Sequence, residues 1–444
     1  MSRRWLLRTE ASAIAEVGDS LRRQELYYSF GQFANGVYNG VNNAILGLYV
    51  SAFTGNPFII GYVSNTRTVE GAILQPIVGR WSDRTTSPLG RRRPFILAGI
   101  PLAVFFLALV PLFGHSDRHV ALPLIIGSIV LFSICWNVAG DPYQALMVDI
   151  IPPARRSVYN GILSVIALFG QVAIGLYASL ASVNKSNIPD GVFYLCVLVL
   201  FVCYAAVFFG VREPEEAGAQ ASREDRIPLH LYLGEMRGFG EANKLLISIF
   251  FLWTGLNAII PFLTVFTKKV MHVGDSKAIL VYLTVIAASG ACAYPFGRLG
   301  SRYGNRRFIL LGTALMVVAA IGGIIAPTYS SLFPVAILAG CGFAATTALT
   351  YPYLAELVPG SKIGVFTGLQ ASFSSIAVPL STGITAGLIH FYGYRSIFAM
   401  QAVMMVLDIA VLLTVDDQAA RKQVRAAELA EAALLAAAPS PGSA

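Results

Sequence analysis

The feature that most constrains this chain is a series of apolar runs, each about as long as a lipid bilayer is thick. A transmembrane helix needs roughly 20 apolar residues to cross the hydrocarbon core. Read between charged, proline and glycine punctuation, the sequence contains twelve such runs, numbered here as spans 1 to 12. The runs lie near residues 27–51, 57–79, 94–114, 121–149, 157–181, 190–211, 245–267, 276–297, 308–327, 332–356, 363–388 and 394–415. The sequence therefore predicts an all-α membrane protein with twelve transmembrane helices.

The composition excludes several classes of function. Only 13% of the 444 residues are charged, about half the share of a soluble domain. Twelve spans with short loops use nearly the whole chain, so we expect no separate catalytic domain. The five histidines supply no convergent nucleophile and base, and no GxxxxGK[ST] nucleotide-binding loop is present. We therefore expect neither an enzyme nor an ATP-driven pump.

The cysteines give no sign of a metal centre. All of them lie inside apolar runs, outside any CxxC pattern and away from histidine clusters. They are Cys135, Cys196, Cys203, Cys292 and Cys341. We expect no disulfide, no metal and no cofactor.

The distribution of lysine and arginine predicts the orientation in the membrane, because cytoplasmic loops retain these residues. With the amino terminus inside, the cytoplasmic segments hold 25 of the 32 lysines and arginines, and the outer loops hold six. Both termini are therefore expected in the cytoplasm, in a multi-pass protein of the cell membrane. The same bias accounts for the net charge of +8 without nucleic acid, and contact with anionic lipid headgroups is a further use for it.

The longest polar stretch between spans divides the chain into two sets of six spans. The expected organisation has a cytoplasmic tail, a six-helix bundle, a central loop, a second six-helix bundle and a second tail. These segments are residues 1–26, 27–211, 212–244, 245–415 and 416–444.

The two halves share sequence signatures at matched places, which indicates an internal duplication. Gly90-Arg91-Arg92-Arg93 before span 3 is matched by Gly304-Asn305-Arg306-Arg307 before span 9. Asp149-x-x-Pro-x-x-Arg-x-x-Val-x-x-Gly is repeated 207 residues later, with Glu356 in place of the aspartate and Lys362 in place of the arginine. Two such pairs in the same order predict two pseudo-symmetric six-helix bundles.

GRWSDR followed by GRRRPF after span 2 resembles the loop motif of the major facilitator superfamily. Its longer form, from Gln75 to Ile96, resembles the branch of sucrose/proton symporters, also known as glycoside-cation symporters. The resemblance implies a secondary active transporter that works by alternating access. It also implies an acidic proton site on span 4 about nine positions before Pro142, where this chain has Ser133.

In that superfamily the loop after span 2 is taken to latch the two halves on the cytoplasmic side. Here Gly79 would allow close helix packing, Asp149 is the expected partner for an arginine of the loop, and Arg91 to Arg93 would face the anionic leaflet. In the second half Glu356 is expected to contact Arg302 or Arg306. The alternative is that the arginines only fix the topology. The predicted gate residues are Gly79, Asp83, Arg84, Arg91, Arg92, Asp149, Arg302 and Glu356.

Four charged residues lie inside spans, where each needs a cavity or a partner. Arg67 and Glu70 share one face of span 2 and form either a self-neutralised structural pair or a substrate and proton site. Asp141 on span 4 is a second candidate for proton coupling. For Asp408 on span 12 we expect a structural role.

Amide side chains on span 1 add a candidate for solute recognition. Gln32, Asn35, Asn39 and Asn42 form one stripe, and amides both donate to and accept from hydroxyl groups. The alternative is that the stripe joins neighbouring helices. The other predicted substrate contacts are Arg67, Trp136, Asn137, Trp253, Asn257 and Tyr351.

Together these features and the resemblance favour proton-coupled symport of a sugar or a similar polyhydroxylated solute. The alternatives are a proton-coupled exporter of amphipathic drugs or metabolites and a lipid flippase on the same helices. The expected partners are a small solute, protons and the lipid bilayer, with no nucleic acid, and we expect a monomer.

Overall fold

The computed structural model describes residues 3–85, 87–185, 187–211, 213 and 238–437. Within these ranges, the side chains of residues 3–21 and 430–437 and several single ones, including Arg67 and Asp83, lie outside the description. Most of the predicted central loop, residues 212 and 214–237, lies outside it as well. The described ranges consist of helices joined by short turns and contain no strand.

The chain divides into two compact units, and the first comprises residues 1–225 and 274–280. Its first helix passes through a π-helical turn, Val41–Leu46, inside span 1. The helices that cover spans 1 to 6 are α1 (Arg3–Gly40), α2 (Gly47–Val50), α3 (Pro57–Arg84), α4 (Arg93–Gly114), α5 (Arg118–Ile150), α6 (Pro153–Ala181) and α7 (Asp190–Gly210).

The second unit comprises residues 226–273 and 281–444. Spans 7 to 12 and the carboxyl-terminal segment form α8 (Gly240–Ile259), α9 (Leu263–Val270), α10 (Asp275–Tyr303), α11 (Asn305–Ile325), α12 (Leu332–Glu356), α13 (Ile363–Tyr392), α14 (Ser396–Leu413) and α15 (Asp417–Ala437). A short 3-10 turn, Gly360–Lys362, precedes α13.

Within the described residues, ten helical segments are long and apolar enough to cross a membrane. They correspond to predicted spans 3 to 12. The helices over spans 1 and 2 are present but more polar, because they carry the amide stripe and the charged residues Arg67 and Glu70. The predicted fold class, an all-α membrane protein of two six-helix bundles, is confirmed.

Span 1 crosses span 5 through a pair of glycines. A Cβ atom at Gly36 of α1 would lie 1.9 Å from the carbonyl oxygen of Ala167. A Cβ atom at Gly170 of α6 would lie 2.3 Å from the carbonyl oxygen of Phe33. Only glycine therefore fits at either position, and the two backbones pack directly against each other, as small residues allow in membrane helices.

A second close crossing occurs in both units, as the internal duplication predicts. In the first unit, a Cβ at Gly99 would lie 2.8 Å from the carbonyl oxygen of Cys135. In the second unit, Gly312 stands 213 residues later, and its Cβ would lie 2.9 Å from the carbonyl oxygen of Gly342. Spans 3 and 4 thus meet in the same way as spans 9 and 10.

We predict that Gly170→Ala destabilises the protein, because the added methyl group pushes α6 away from α1. Overpacking of this kind costs about 1–3 kcal/mol, which a melting curve of the purified protein in detergent measures as a lower midpoint. Gly161→Ala on the same helix is the matched control, since no described atom lies within 4 Å of its added methyl group. Equal midpoints for the two variants would contradict the close crossing.

Candidate functional site

The loop before α4 forms a buried ion pair with the carboxyl-terminal end of span 4. Nη2 of Arg91 lies 3.3 Å and 3.2 Å from the two carboxylate oxygens of Asp149, and Nε of Arg92 donates to the same carboxylate. Both arginines are only 8% exposed. The structure therefore gives Asp149 two arginine partners. The expectation that these arginines face the anionic leaflet was wrong, because a carboxylate inside the bundle holds them.

A second carboxylate, which no motif in the sequence predicts, binds the same loop. Glu213, just after span 6, accepts hydrogen bonds of 2.7 to 2.9 Å from the backbone N–H groups of Arg91, Arg92 and Arg93. These groups open α4, so the carboxylate sits at the positive end of the helix dipole. A Cβ atom at Gly90, whose φ is +101°, would lie 2.8 Å from the Glu213 carboxyl carbon. Glycine suits this position for two reasons: a side chain would be strained at this φ, and it would clash with Glu213.

Arg93 joins this loop to the end of span 6. Its Nη2 atom donates to the carbonyl oxygen of Phe208 at 2.6 Å, and its guanidinium lies 4.7 Å from the centre of the Phe208 ring. The loop before α4 therefore connects the amino-terminal end of span 3 with the carboxyl-terminal ends of spans 4 and 6.

The second unit repeats these contacts with different chemistry. Nδ2 of Asn305 donates to Oε1 of Glu356 at 2.6 Å, and these residues occupy the positions of Arg91 and Asp149 in the duplication. Arg306 donates to the carbonyl oxygens of Leu412 and Leu413 at the end of span 12, as Arg93 donates to the end of span 6 in the first unit. The expected arginine partner for Glu356 was wrong, because the residue that reaches it is an asparagine.

The carboxyl-terminal helix α15 is anchored at this end of the second unit. Oδ1 of Asp417 accepts a 2.7 Å hydrogen bond from the Tyr353 hydroxyl, and its Oδ2 lies 3.6 Å from Nη1 of Arg306. Ala420 is fully buried. The backbone N–H groups of Ala419 and Gln418 hold the pKa of Asp416 below its usual range, because they stabilise the carboxylate that caps the helix.

The remaining predicted gate residues have less defined surroundings. Arg84 is exposed at the end of α3, and the Arg302 guanidinium lies 5.4 Å from the centre of the Tyr303 ring. No described atom lies within 4 Å of a Cβ built on Gly79, so the structure does not support close packing at this glycine. The side chain of Asp83 lies outside the described residues.

Glu70 is a partly buried carboxylate in the middle of span 2. Its Oε1 atom accepts a 3.2 Å hydrogen bond from the Tyr62 hydroxyl. Ser133 of span 4 lies beside the carboxylate, although its hydroxyl falls short of hydrogen-bond geometry. Oε2 of Glu70 is buried and has no hydrogen-bond partner among the described residues. The side chain of Arg67, its predicted companion, lies outside the description.

The other acidic residues inside spans differ in their burial. Asp141 is partly buried on α5, next to Pro142. Asp408 is 1% exposed and accepts hydrogen bonds from Ser248, and from Thr313 at 2.9 Å. Asp408 thus joins α14 to α8 and α11, which fits the structural role expected for it.

The amide stripe on span 1 separates into residues that join helices and one that does not. Asn35 accepts from the Tyr204 hydroxyl at 3.1 Å and donates to Gln32 at 2.7 Å. Asn42, in the π-helical turn, donates to the backbone carbonyl of Ser64 on α3 at 2.8 Å. Asn39 is partly exposed and has no hydrogen-bond partner among the described residues. Of the four amides, Asn39 is therefore the one most open to a ligand.

The aromatic and polar residues predicted on spans 4, 7 and 10 have different exposures. Trp136 is fully buried and its ring stacks on Tyr38, with centroids 4.5 Å apart; Asn137 beside it is 1% exposed. Nδ2 of Asn257 donates to the carbonyl oxygen of Trp253 at 2.9 Å. Tyr351 is 51% exposed. These predicted residues therefore range from fully buried to half exposed.

A chain of two duplicated six-span units, with a basic loop after the second span of each, has the architecture of a secondary membrane transporter. Its sequence matches the profile of the Major Facilitator Superfamily over residues 28–294 and 245–440, nearly the whole chain. The chain belongs to the major facilitator superfamily.

Similar curated proteins carry names of sugar transporters. The chain is 28% identical over 193 residues to a sucrose transport protein of Arabidopsis thaliana, which is 36% of this chain and 32% of that protein. It is 37% identical over 97 residues to the human proton-associated sugar transporter A, which is 19% of this chain and 13% of that protein. The chain thus matches a third or less of the length of these two relatives.

Solved structures show the same fold at low sequence identity. A D-xylose-proton symporter superposes with a TM-score of 0.67 at 14% identity, over 89% of this chain and 97% of that one. A nucleoside transporter gives a TM-score of 0.69 at 12% identity, over 88% and 99% of the two chains.

The two versions of the loop contact predict different sensitivities to mutation. Asp149→Asn removes the negative charge that both buried guanidinium groups contact, which we expect to destabilise the protein by about 3 kcal/mol. Glu356→Gln, at the matched position, keeps an oxygen that accepts from Asn305 and should cost about 1 kcal/mol. Melting midpoints in detergent measure both, and a Glu356→Gln loss as large as that of Asp149→Asn would contradict this difference.

Proposed function

We propose that the protein is a proton-coupled symporter, working by alternating access, for a sugar or a similar polyhydroxylated solute. The names of the curated relatives support a sugar as the solute. The observation that carries the coupling is the environment of Glu70. We further propose that it acts in the cell membrane as a monomer with both termini in the cytoplasm.

Glu70 has the surroundings of a group that exchanges a proton. A permanent charge inside a span costs about 3 kcal/mol or more, so a carboxyl group there is retained for a reason. Both described neighbours, Tyr62 and Ser133, carry hydroxyl groups, which can donate to a carboxylate or accept from a carboxylic acid. Neither of these two hydroxyl groups carries a charge that would hold Glu70 in its ionised form. Asp141 remains the second candidate.

The proton site also explains the serine on span 4. The superfamily branch that the sequence resembles implies an acid at the position of Ser133. Here Ser133 lies beside Glu70, which approaches from span 2. We infer that the acidic group has moved from span 4 to span 2 while serving the same place in the bundle.

Solute recognition is proposed to centre on Asn39, with Gln32 about two turns before it on the same stripe of α1. Asn35 and Asn42 hold span 1 against α7 and α3 through the hydrogen bonds described above, so they would position the site rather than contact the solute. The other residues proposed for the solute site are Arg67, Trp136, Asn137, Trp253, Asn257 and Tyr351. The gate is proposed to consist of the loop residues around Arg91, Arg92 and Asp149 with their counterparts in the second unit.

We predict that Glu70→Gln abolishes proton-driven accumulation but leaves exchange of solute across the membrane. The amide is neutral at all pH values and cannot carry the proton. Uptake of a radiolabelled sugar panel into proteoliposomes, with and without an inward proton gradient, measures the effect. Asp408→Asn is the matched control, since it also replaces a buried acid, and gradient-driven uptake should persist.

Two outcomes would overturn this assignment. Gradient-driven uptake by Glu70→Gln equal to wild type would exclude Glu70 as the coupling site. Wild-type protein that takes up no sugar would favour the alternative function, a proton-coupled exporter of amphipathic compounds.

The amides on span 1 give a second test. Asn39→Ala should raise the KM for the solute about 10-fold through the loss of a hydrogen bond, with an unchanged melting midpoint. Asn35→Ala should instead lower the midpoint, because it removes the hydrogen bond that the Tyr204 hydroxyl donates to Asn35. An unchanged KM for Asn39→Ala would place the solute elsewhere.

A further inference from the structure

The carboxyl-terminal end of span 2 carries a groove that contains none of the proposed solute contacts. It has a volume of about 410 Å³ and is lined by Ile77, Arg80, Trp81 and Arg84. These residues are spaced three and four apart, so they form one stripe on α3. The groove is thus built from alternating apolar and cationic side chains on a single helix face.

The stripe faces away from the interior of its bundle. Ile77 and Trp81 are 56% and 64% exposed, whereas Val78 and Ser82 on the same helix are 2% and 0% exposed. The Trp81 ring is held edge-on against Phe95, with centroids 5.4 Å apart. Two large apolar side chains are therefore presented outward in a fixed position.

The two guanidinium groups of the groove are available to a ligand. Neither Arg80 nor Arg84 makes a hydrogen bond or ion pair with the described residues. The internal duplication provides a comparison, because Arg298 and Arg302 stand 218 residues later. There, Arg298 donates to the Tyr294 hydroxyl at 3.4 Å and Arg302 packs on the Tyr303 ring. Leu299 replaces the tryptophan and Pro295 the isoleucine.

We propose that this groove binds an anionic phospholipid, with the phosphate between Arg80 and Arg84 and the start of an acyl chain along Ile77 and Trp81. Guanidinium groups form strong hydrogen bonds with phosphate oxygens, and tryptophan is enriched where hydrocarbon meets water. A soluble phosphate would satisfy the arginines but leave both apolar side chains in water. A phospholipid covers all four.

This assignment replaces the lipid contact expected for Arg91 to Arg93. Those arginines are engaged by Asp149, Glu213 and Phe208. Arg80 and Arg84 lie at the end of α3, where the span leaves the membrane. They are therefore the cations of the first basic segment that can reach a headgroup.

Native mass spectrometry of the full-length protein in detergent tests the proposal. Phosphatidylglycerol is titrated, phosphatidylcholine is the zwitterionic comparison, and glycerol 3-phosphate is the soluble one. The wild type should prefer phosphatidylglycerol, and R80Q/R84Q should weaken its binding about 30-fold. R298Q/R302Q is the matched control and should keep the wild-type affinity. Trp81→Ala should weaken binding of the lipid.

Three results would overturn the proposal. One is unchanged phosphatidylglycerol binding by R80Q/R84Q, and another is an equal loss in both double variants, which would indicate a general effect of surface charge. The third is glycerol 3-phosphate binding as tight as that of the lipid, which would make the groove a site for soluble anions.

A second measurement uses only the wild-type protein and so does not depend on the folding of a variant. Phosphatidylglycerol with a photoreactive diazirine on its acyl chain is incorporated into vesicles with the protein and illuminated. The proposal predicts crosslinks on the peptide that contains residues 77–84. Crosslinks confined to other peptides would contradict it.

Discussion

The contact between the basic loop and the end of span 4 is the interaction on which the joining of spans 3, 4 and 6 in the first unit depends. Asp149 holds Arg91 and Arg92, and this places three backbone N–H groups where Glu213 can accept from them. Arg93 is then directed to the end of span 6. In the second unit Asn305, Glu356 and Arg306 make the matching contacts. The duplicated motif therefore joins three helix ends in each unit. In the first unit arginines contact Asp149, and in the second unit an amide, Asn305, contacts Glu356.

The membrane interior imposes the second constraint, because a polar group there must find a partner inside the protein. Several described polar side chains in the spans do so: Asn35 pairs with Tyr204, Asn42 with the Ser64 carbonyl, and Asp408 with Ser248 and Thr313. Glu70 satisfies this rule only partly. Among the described residues its Oε1 atom pairs with the Tyr62 hydroxyl and its buried Oε2 atom has no hydrogen-bond partner, which is why the proposed function rests on it.

Much of the fold was predictable because its signals are local. The length of an apolar run is set by the bilayer, so the spans, the two-bundle class and the duplication could be read along the chain. Side-chain partners could be predicted only where charge left one choice, as for Asp149 and its arginines. Asn39 and Asn42 are the same residue type on one stripe, and nothing in the sequence says that one reaches α3 while the other stays open. Glu213 gave no motif, because its partners are backbone groups more than a hundred residues away.

The amino-acid sequence is enough to predict a twelve-span protein of two repeated bundles, because hydropathy and motif spacing are local properties of the chain. Which polar side chains join helices, and which are available to a solute, a proton or a lipid, depends on the tertiary structure. It stacked Trp136 on Tyr38, placed Ser133 beside Glu70, and left Arg80 and Arg84 exposed beside Trp81. The reason is that a hydrogen bond or ion pair between spans depends on how helices cross, and crossing is fixed by close contacts such as Gly36 with Ala167.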